Sequence, residues 1–90
     1  MRFLVEISAT AEKDLDSLDK KACETIIKKL YKVSENPLHF LERLVGFTLY
    51  KLRCGDYRMV IRVYTTKKVL QVIMLDRRER IYKRLQNLCR

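Results

Sequence analysis

The spacing of apolar side chains changes near the middle of the chain, from a helical repeat to strict alternation. Between residues 11 and 33 apolar side chains recur three or four positions apart, whereas from Phe47 onward they occupy every second position. The alternating part predicts three strands, joined through Cys54-Gly55 and Thr65-Thr66: Phe47–Arg53, Tyr57–Tyr64 and Val69–Asp76. Because such short connections cannot support a crossover, these strands must form an antiparallel meander.

A two-residue turn at Cys54-Gly55 predicts one apolar and one basic face for this sheet. It places Arg53 opposite Asp56, Lys51 opposite Arg58 and Leu49 opposite Val60. Burial of one face strongly disfavours a register slip. The apolar face then holds Tyr50, Leu52, Tyr57, Met59, Ile61, Val63, Leu70, Val72 and Met74. The other face combines the cations Lys51, Arg53, Arg58 and Arg62 with an apolar floor of Leu49, Val60, Ile73 and Leu75.

The first half of the chain predicts one strand and a helical hairpin. Phe3, Val5 and Ile7 alternate with other residues, as in a strand. Ser8 or Thr10 is suited to cap a first helix, and Asp19 a second one. The apolar stripes of these helices are Ala11, Leu15 and Leu18, and then Ala22, Ile26, Ile27, Leu30, Tyr31 and Val33. Asn36-Pro37 ends the second helix.

The last residues predict a basic C-terminal helix. Ile81, Leu85 and Leu88 stand at helical spacing among several arginines and lysines. This helix either folds onto the open face of the sheet or leaves it. We therefore expect an α+β fold in one domain spanning residues 1–90. It comprises an N-terminal strand, a helical hairpin, an antiparallel three-strand meander that completes a four-stranded sheet, and the C-terminal helix.

Positive charge is confined to the second half of the chain. The formal net charge is +9, and residues 46–90 supply all of it, with twelve basic and three acidic side chains. This segregation favours a polyanionic partner, either nucleic acid or an acidic protein. The alternative is a charge-rich surface whose only role is to be solvated.

Several common kinds of site are not expected in this chain. Three cysteines without a Cys-x-x-Cys pair, and one histidine, predict neither a disulfide framework nor a metal site, and no cofactor motif is present. The N-terminus does not resemble a signal peptide and no apolar stretch reaches membrane-spanning length, so we expect a cytoplasmic protein without a membrane partner. Chemistry would therefore fall to lysine, arginine and tyrosine.

These side chains suit phosphoryl groups, because their donors stabilise the charge that develops on phosphate in a transition state. Lys51, Arg58, Arg78 and Tyr82 could together cleave RNA without a metal. In that reaction the ribose 2′-OH attacks its own 3′ phosphate while a base takes its proton and an acid protonates the leaving 5′ oxygen. For Tyr82 considered alone, packing on the sheet is the preferred interpretation.

Two segments resemble the RelE/ParE superfamily of bacterial toxins. The first is the run from Leu49 to Val60, with its sequence LYKLRCGDYRMV, and the second is the strand Val69–Leu75 followed by DRRERIY. The resemblance extends over essentially the whole chain. It implies the α+β fold and a toxin held inactive by a cognate acidic antitoxin similar to RelB. The RelE branch cleaves mRNA in the ribosomal A site, whereas the ParE branch poisons DNA gyrase.

The resemblance also implies roles for individual residues. Lys51 matches a lysine that transfers a proton at the 2′-OH, and Arg58 an arginine that contacts phosphate. Arg78 matches an arginine that stabilises the transition state, with Arg77 and Arg80 as alternative alignments. Tyr82 matches a tyrosine that stacks on a base and assists proton transfer.

One position departs from the pattern of ribosome-dependent members, which carry a second lysine where this chain has Leu49. The arginine–tyrosine set nevertheless favours the nuclease branch, with mRNA and ribosomal RNA as partners. Inhibition without cleavage, at gyrase or the ribosome, and simple nucleic-acid binding without toxicity remain alternatives. Further RNA contacts are expected from Arg53, Arg62, Arg77, Arg80, Lys83 and Arg84, and antitoxin contacts from Leu49, Val60, Ile73 and Leu75.

Overall fold

The computed structural model describes residues 2–44 and 49–88 and shows an α+β fold. Three helices follow the first strand, and a fourth helix follows the last strand. The helices are α1 (Ala9–Asp16), α2 (Lys20–Glu35), the single turn α3 (Pro37–Phe40) and α4 (Arg78–Leu88). The strands are β1 (Leu4–Ile7), β2 (Glu42–Arg43), β3 (Tyr50–Cys54), β4 (Tyr57–Tyr64) and β5 (Val69–Arg77). Among the described helices, none is long and apolar enough to cross a membrane.

The strands form one sheet in the order β1-β5-β4-β3-β2. β1 is parallel to β5, and the other neighbouring strands are antiparallel. The expectation of four strands was wrong by one, since β2 adds a two-residue edge strand that is too short to show any alternation. The predicted start of β3 at Phe47 lies outside the described residues.

The predicted caps explain where the first helices begin. Ser8, and not Thr10, caps α1 by accepting the N–H of Ala11 at 3.1 Å, and Asp19 caps α2 by accepting the N–H of Ala22 at 2.8 Å. Asn36 ends α2, and Pro37 opens α3 as its first residue. The hairpin therefore follows the sequence expectation closely.

The predicted register between β3 and β4 is wrong by two residues. The turn is Gly55-Asp56, so that Arg53 pairs with Arg58 and Lys51 with Val60. Gly55 has a φ of 60°, a conformation that glycine adopts without strain. Because side chains alternate with a period of two, the shift leaves every residue of the hairpin on its predicted face. The next connection spans residues 65–68 and preserves the faces in the same way.

A β-bulge at Ile73 reverses the predicted faces of the last residues of β5. Val60 pairs with Met74 and Ile61 with Val72, so Ile73 has no partner on β4. Helix α1 supplies the missing hydrogen bonds: Ser8 Oγ donates to the carbonyl oxygen of Ile73 at 2.7 Å, and an Asp14 carboxylate oxygen accepts the N–H of Leu75 at 3.0 Å. Leu75 therefore lies in the core beneath the hairpin, and not on the open face where it was expected.

The second face of the sheet is covered by α4. The C-terminal helix therefore folds onto the open face of the sheet and does not leave it. In the apolar floor of this face, Met74 takes the place that was expected for Leu75. Ile81 and Leu85 of α4 are buried against Leu49, Val60 and Met74. Two of the four expected antitoxin contacts, Leu49 and Val60, consequently lie beneath α4, with exposures of 3% and 1%. Ile73 is half-buried at the edge of this cluster.

Replacing Leu85 by alanine is expected to lower the free energy of unfolding by about 2–3 kcal/mol, because the side chain is almost fully buried between α4 and the sheet. Hydrogen exchange should then be accelerated in α4 more than in β4, which stays within the sheet. Thermal or urea unfolding measures the first effect. The exposed Lys83→Ala variant provides the control, and an unchanged stability of Leu85→Ala would contradict the docking of α4.

Candidate active site

The turn Gly55-Asp56 positions two of the arginines singled out from the sequence. Arg58 is only 6% exposed, and its Nη1 donates to the carbonyl oxygens of Gly55 at 2.8 Å and Tyr57 at 2.9 Å. Arg78 opens α4, and its backbone N–H donates to the carbonyl oxygen of Asp56 at 3.1 Å. One tight turn therefore fixes both a buried guanidinium and the start of the helix that carries Tyr82.

Lys51 and Tyr82 meet across the gap between β3 and α4. Lys51 Nζ donates to the phenolic oxygen of Tyr82 at 2.9 Å and lies 5.6 Å from the centre of its ring. Tyr82 is 45% exposed, which is more than a side chain that only packs on the sheet would show. Nearly half of the side chain thus remains at the surface.

All four residues expected to carry catalysis line one open pocket of about 400 Å³. Its walls contain four cationic side chains, two carboxylates and one phenol: Lys51, Arg53, Arg58, Arg78, Glu42, Glu79 and Tyr82. Excess positive charge around a phenol suits an RNA phosphate with a neighbouring base. The remaining arginines of the 77–80 segment, Arg77 and Arg80, line a different pocket beside Asp14 and Tyr57. The geometry therefore favours Arg78 over both alternative alignments.

Glu42 is the residue of this site that the sequence reasoning missed. β2 pairs with β3 so that Glu42 lies opposite Lys51, and its Oε2 is 3.5 Å from Lys51 Nζ. A strand of two residues gives no alternation from which this register could be predicted. The only sequence signal was an isolated acid ahead of the basic half of the chain.

The neighbours of Lys51 favour its charged form. The hydrogen bond to Tyr82 raises the pKa of Lys51, desolvation opposes the rise, and the nearby Glu42 carboxylate adds to it. A lysine held in this way can stabilise negative charge or donate a proton, but it is a poor proton acceptor near neutral pH.

We expect the Lys51 amine to titrate above the ordinary lysine pKa of about 10.4. Its contribution to stability is then fully present below that pH and is lost as the pH rises through the higher pKa of the folded state. The ¹³Cε chemical shift of Lys51, followed by NMR, measures the midpoint. Tyr82→Phe removes the phenolic acceptor and should lower the midpoint. A midpoint at or below the ordinary value in the unmodified chain would contradict the contact.

The expected RNA-binding residues do not all converge on the site. Arg53 lines it, whereas Arg62 and Lys83 are exposed elsewhere on β4 and α4. Arg84 is engaged with carboxylates instead of being free for RNA: its Nη1 lies 3.1 Å from both Asp14 and Asp76. Burial by itself would lower the pKa of Arg84, but the hydrogen bonds with these two carboxylates raise it.

Comparison with known proteins relates the chain to one sequence family and to solved structures with the same fold. Residues 5–82 match the sequence family described as the ParE toxin of the type II toxin–antitoxin system parDE. No protein of curated function matches the chain by sequence.

Solved structures of toxins from the RelE branch share the fold. A chain of the RelBE toxin–antitoxin complex from Mycobacterium tuberculosis superposes with a TM-score of 0.79 at 21% identity, covering 87% of this chain and 100% of that one. A mutant of the Escherichia coli toxin RelE in the free state gives 0.78 at 29% identity, covering 98% and 96%. A chain of the intact E. coli RelBE complex gives 0.71 at 30% identity, covering 83% and 95%. The chain is therefore a member of the RelE/ParE superfamily, the toxins of type II toxin–antitoxin systems.

Proposed function

We propose that this toxin is a ribosome-dependent endoribonuclease that cleaves translated mRNA in the A site and so arrests translation and growth in the cytoplasm. The observation that supports this most strongly is the convergence of Lys51, Arg58, Arg78 and Tyr82 on one pocket. These residues come from two strands and a helix, and a merely solvated basic surface would not require their side chains to share a cavity.

The proposed reaction needs only the RNA and protein side chains. The ribose 2′-OH attacks the adjacent phosphorus, forming a bond from O2′ to phosphorus and breaking the bond from phosphorus to O5′. The 2′ proton goes to a base and a proton is delivered to O5′, which leaves as a 5′-OH beside a 2′,3′-cyclic phosphate. Arg58 and Arg78 are placed to hold the phosphate and stabilise the charge that develops on it.

Glu42 is the proton acceptor that the geometry favours. Lys51 was expected to exchange a proton with the 2′-OH, yet its raised pKa favours the ammonium form. The carboxylate of Glu42 lies 3.5 Å from that ammonium, lines the same pocket and belongs to the side-chain types that act as general bases. Lys51 then acts as a charge and hydrogen-bond donor that orients Tyr82, whose ring can stack on a base and whose hydroxyl can donate toward O5′.

Controlled expression with mapping of mRNA 5′ ends tests this proposal in cells. The unmodified chain should arrest growth and create new ends at codon-linked positions, whereas an Arg58→Ala/Tyr82→Phe variant should do neither. If both chains arrest growth to the same extent without new ends, the nuclease proposal fails.

A second candidate is favoured by the match to the ParE family description. A toxin of that kind would inhibit DNA gyrase as a binding module without cutting RNA. Plasmid supercoiling in the same cells distinguishes the two, since loss of negative supercoiling with intact mRNA supports gyrase and normal supercoiling with new mRNA ends supports cleavage.

The partner that inactivates the toxin is proposed to be a cognate acidic antitoxin similar to RelB, in line with the RelBE complexes that share its fold. Leu49 and Val60 are buried beneath α4, so an antitoxin helix reaching them must first displace α4. An acidic amphipathic helix would suit the exchange, because basic side chains surround this floor. Identical placement of residues 77–88 in the free and bound toxin would contradict displacement.

A further inference from the structure

Arg84 connects α4 to two other elements of the fold. Its Nη1 donates to both carboxylate oxygens of Asp14 on α1 and to Asp76 Oδ2 on β5, each at 3.1 Å, and to the carbonyl oxygen of Leu75 at 3.2 Å. Asp14 is fixed in turn, because its Oδ2 accepts the N–H of Leu75 at 3.0 Å. The side chain of Arg84 is 31% exposed, that of Asp14 is 19% exposed and that of Asp76 is 20% exposed. We refer to these three residues as the Arg84 cluster.

The Arg84 cluster and Tyr82 lie on opposite flanks of α4. Successive helical residues are rotated by about 100°, so Ile81 and Leu85 form one buried stripe separated by about 40°. Relative to the middle of that stripe, Tyr82 lies about 80° to one side and Arg84 about 80° to the other. Rotation of α4 about its own axis would therefore displace both side chains, lifting one flank away from the sheet and pressing the other toward it.

The apolar stripe holds α4 against the sheet but sets its rotation only loosely, because burial is non-directional. Tyr82 is 45% exposed, and its polar contact to Lys51 is a single hydrogen bond at the surface. The Arg84 cluster, by contrast, holds one guanidinium nitrogen whose two N–H groups are shared among four acceptor oxygens of α1 and β5. It is the stronger constraint on the rotation of α4.

We propose that Arg84, held by Asp14 and Asp76, is a positioning residue that fixes the rotation of α4 and thereby keeps Tyr82 over Lys51. The consequence of this positioning for RNA cleavage rests on the proposed endoribonuclease activity. The placement of Tyr82 is a property of the folded chain and can be measured separately.

The placement is tested by NMR on the full chain with ¹³C-labelled tyrosine rings. Lys51→Met gives the Tyr82 signal in the absence of its lysine contact. Arg84→Met should move the Tyr82 signal toward that reference, whereas Arg2→Gln, which breaks the remote exposed ion pair with Glu35, should leave it unchanged. A Tyr82 signal that stays at its original position in folded Arg84→Met would overturn the proposal.

Conservative variants separate positioning from a general loss of stability. Because every side-chain hydrogen bond found for Arg84 uses the same nitrogen, a lysine ammonium can replace it as a point charge. Arg84→Lys should therefore keep the Tyr82 signal near its original position. Asp14→Asn, which weakens the cluster without removing Arg84, should shift it partway and replaces Arg84→Met if that chain does not fold. A lysine variant as displaced as Arg84→Met, or an unshifted Asp14→Asn, would overturn the proposal.

The kinetic test asks whether Arg84 acts through Tyr82. On ribosome-bound mRNA, Arg84→Met should lower kcat about tenfold with KM nearly unchanged, and should have no further effect in a Tyr82→Ala background. Equal losses in both backgrounds would overturn the proposal. If the unmodified chain does not cleave RNA while the NMR shifts occur as expected, the endoribonuclease function is refuted and the positioning of Tyr82 by Arg84 is upheld.

Discussion

Replacing Arg58 by alanine is expected to lower the rate of mRNA cleavage by about 100- to 1000-fold, the effect of removing one preorganised donor from a transition state. Arg58 is 6% exposed and its guanidinium is held by the carbonyl oxygens of Gly55 and Tyr57, so its position is set before RNA binds. Preorganisation of this kind gives a donor its catalytic value, because no reorientation is needed as charge develops on the phosphate. The effect should appear mainly in kcat.

Arg62→Ala is the matched control for this prediction. Arg62 lies four residues further along β4 on the same face of the sheet, but it is exposed and does not line the candidate site. Its loss should weaken RNA binding slightly and change the cleavage rate by less than about threefold, as expected of a single exposed charge. Cleavage of ribosome-bound mRNA by both purified variants measures the difference, and equal losses would remove the case for a special role of Arg58. Circular dichroism shows whether Arg58→Ala remains folded.

Replacing Glu42 by glutamine is expected to lower kcat by about 100-fold or more, the usual contribution of a general base. The substitution keeps the size of the side chain and its ability to hydrogen-bond to Lys51, but the amide cannot accept the 2′ proton. Binding of RNA should not weaken, because the change removes a negative charge from a site that binds phosphate.

Glu79→Gln controls for the loss of negative charge, since Glu79 lines the same pocket from α4. It should retain most of the activity. Retained cleavage in Glu42→Gln, together with its loss in Lys51→Met, would transfer the role of base to Lys51 and contradict the assignment of Glu42.

The faces of the β3–β4 hairpin could be predicted from the sequence although its register could not. Local turn geometry decides whether Cys54-Gly55 or Gly55-Asp56 closes the hairpin, and the two differ by a shift of two residues. Such a shift leaves Lys51, Arg58 and Tyr50 on their faces, because side chains alternate with a period of two. The prediction of a basic face was therefore insensitive to the error in the turn.

The bulge at Ile73 could not be predicted, because its hydrogen-bonding partners are remote in sequence. Ser8 Oγ donates to the carbonyl oxygen of Ile73, and a carboxylate oxygen of Asp14 accepts the N–H of Leu75. Both partners lie more than sixty residues earlier in the chain, at the cap of α1 and within it. Simple alternation along β5 gave Met74 and Leu75 the wrong faces. The same helix supplies the partner of Arg84, which the sequence presented only as one more cation in a basic tail.

The cationic residues of the candidate site were predicted from the sequence, whereas the carboxylate of Glu42 beside Lys51 was not. Lys51 and Arg58 follow from strand parity, and the resemblance to RelE/ParE toxins supplied Arg78 and Tyr82. Leu49 stands where the resemblance would place a second lysine, and it is buried under α4 with Val60 and Met74. Its side chain therefore contributes to the docking of α4 and not to the charge of the candidate site.

In the proposed reaction the RNA's own 2′-OH is the nucleophile within this site. This proposal is tested most directly with purified ribosomes programmed with two mRNAs that differ only by a single 2′-deoxynucleotide at the cleaved position. The unmodified toxin should cut the all-ribose mRNA to a 2′,3′-cyclic phosphate and a 5′-OH, and should leave the deoxy-substituted mRNA intact. Equal cleavage of both mRNAs, or cleavage of neither, would contradict it.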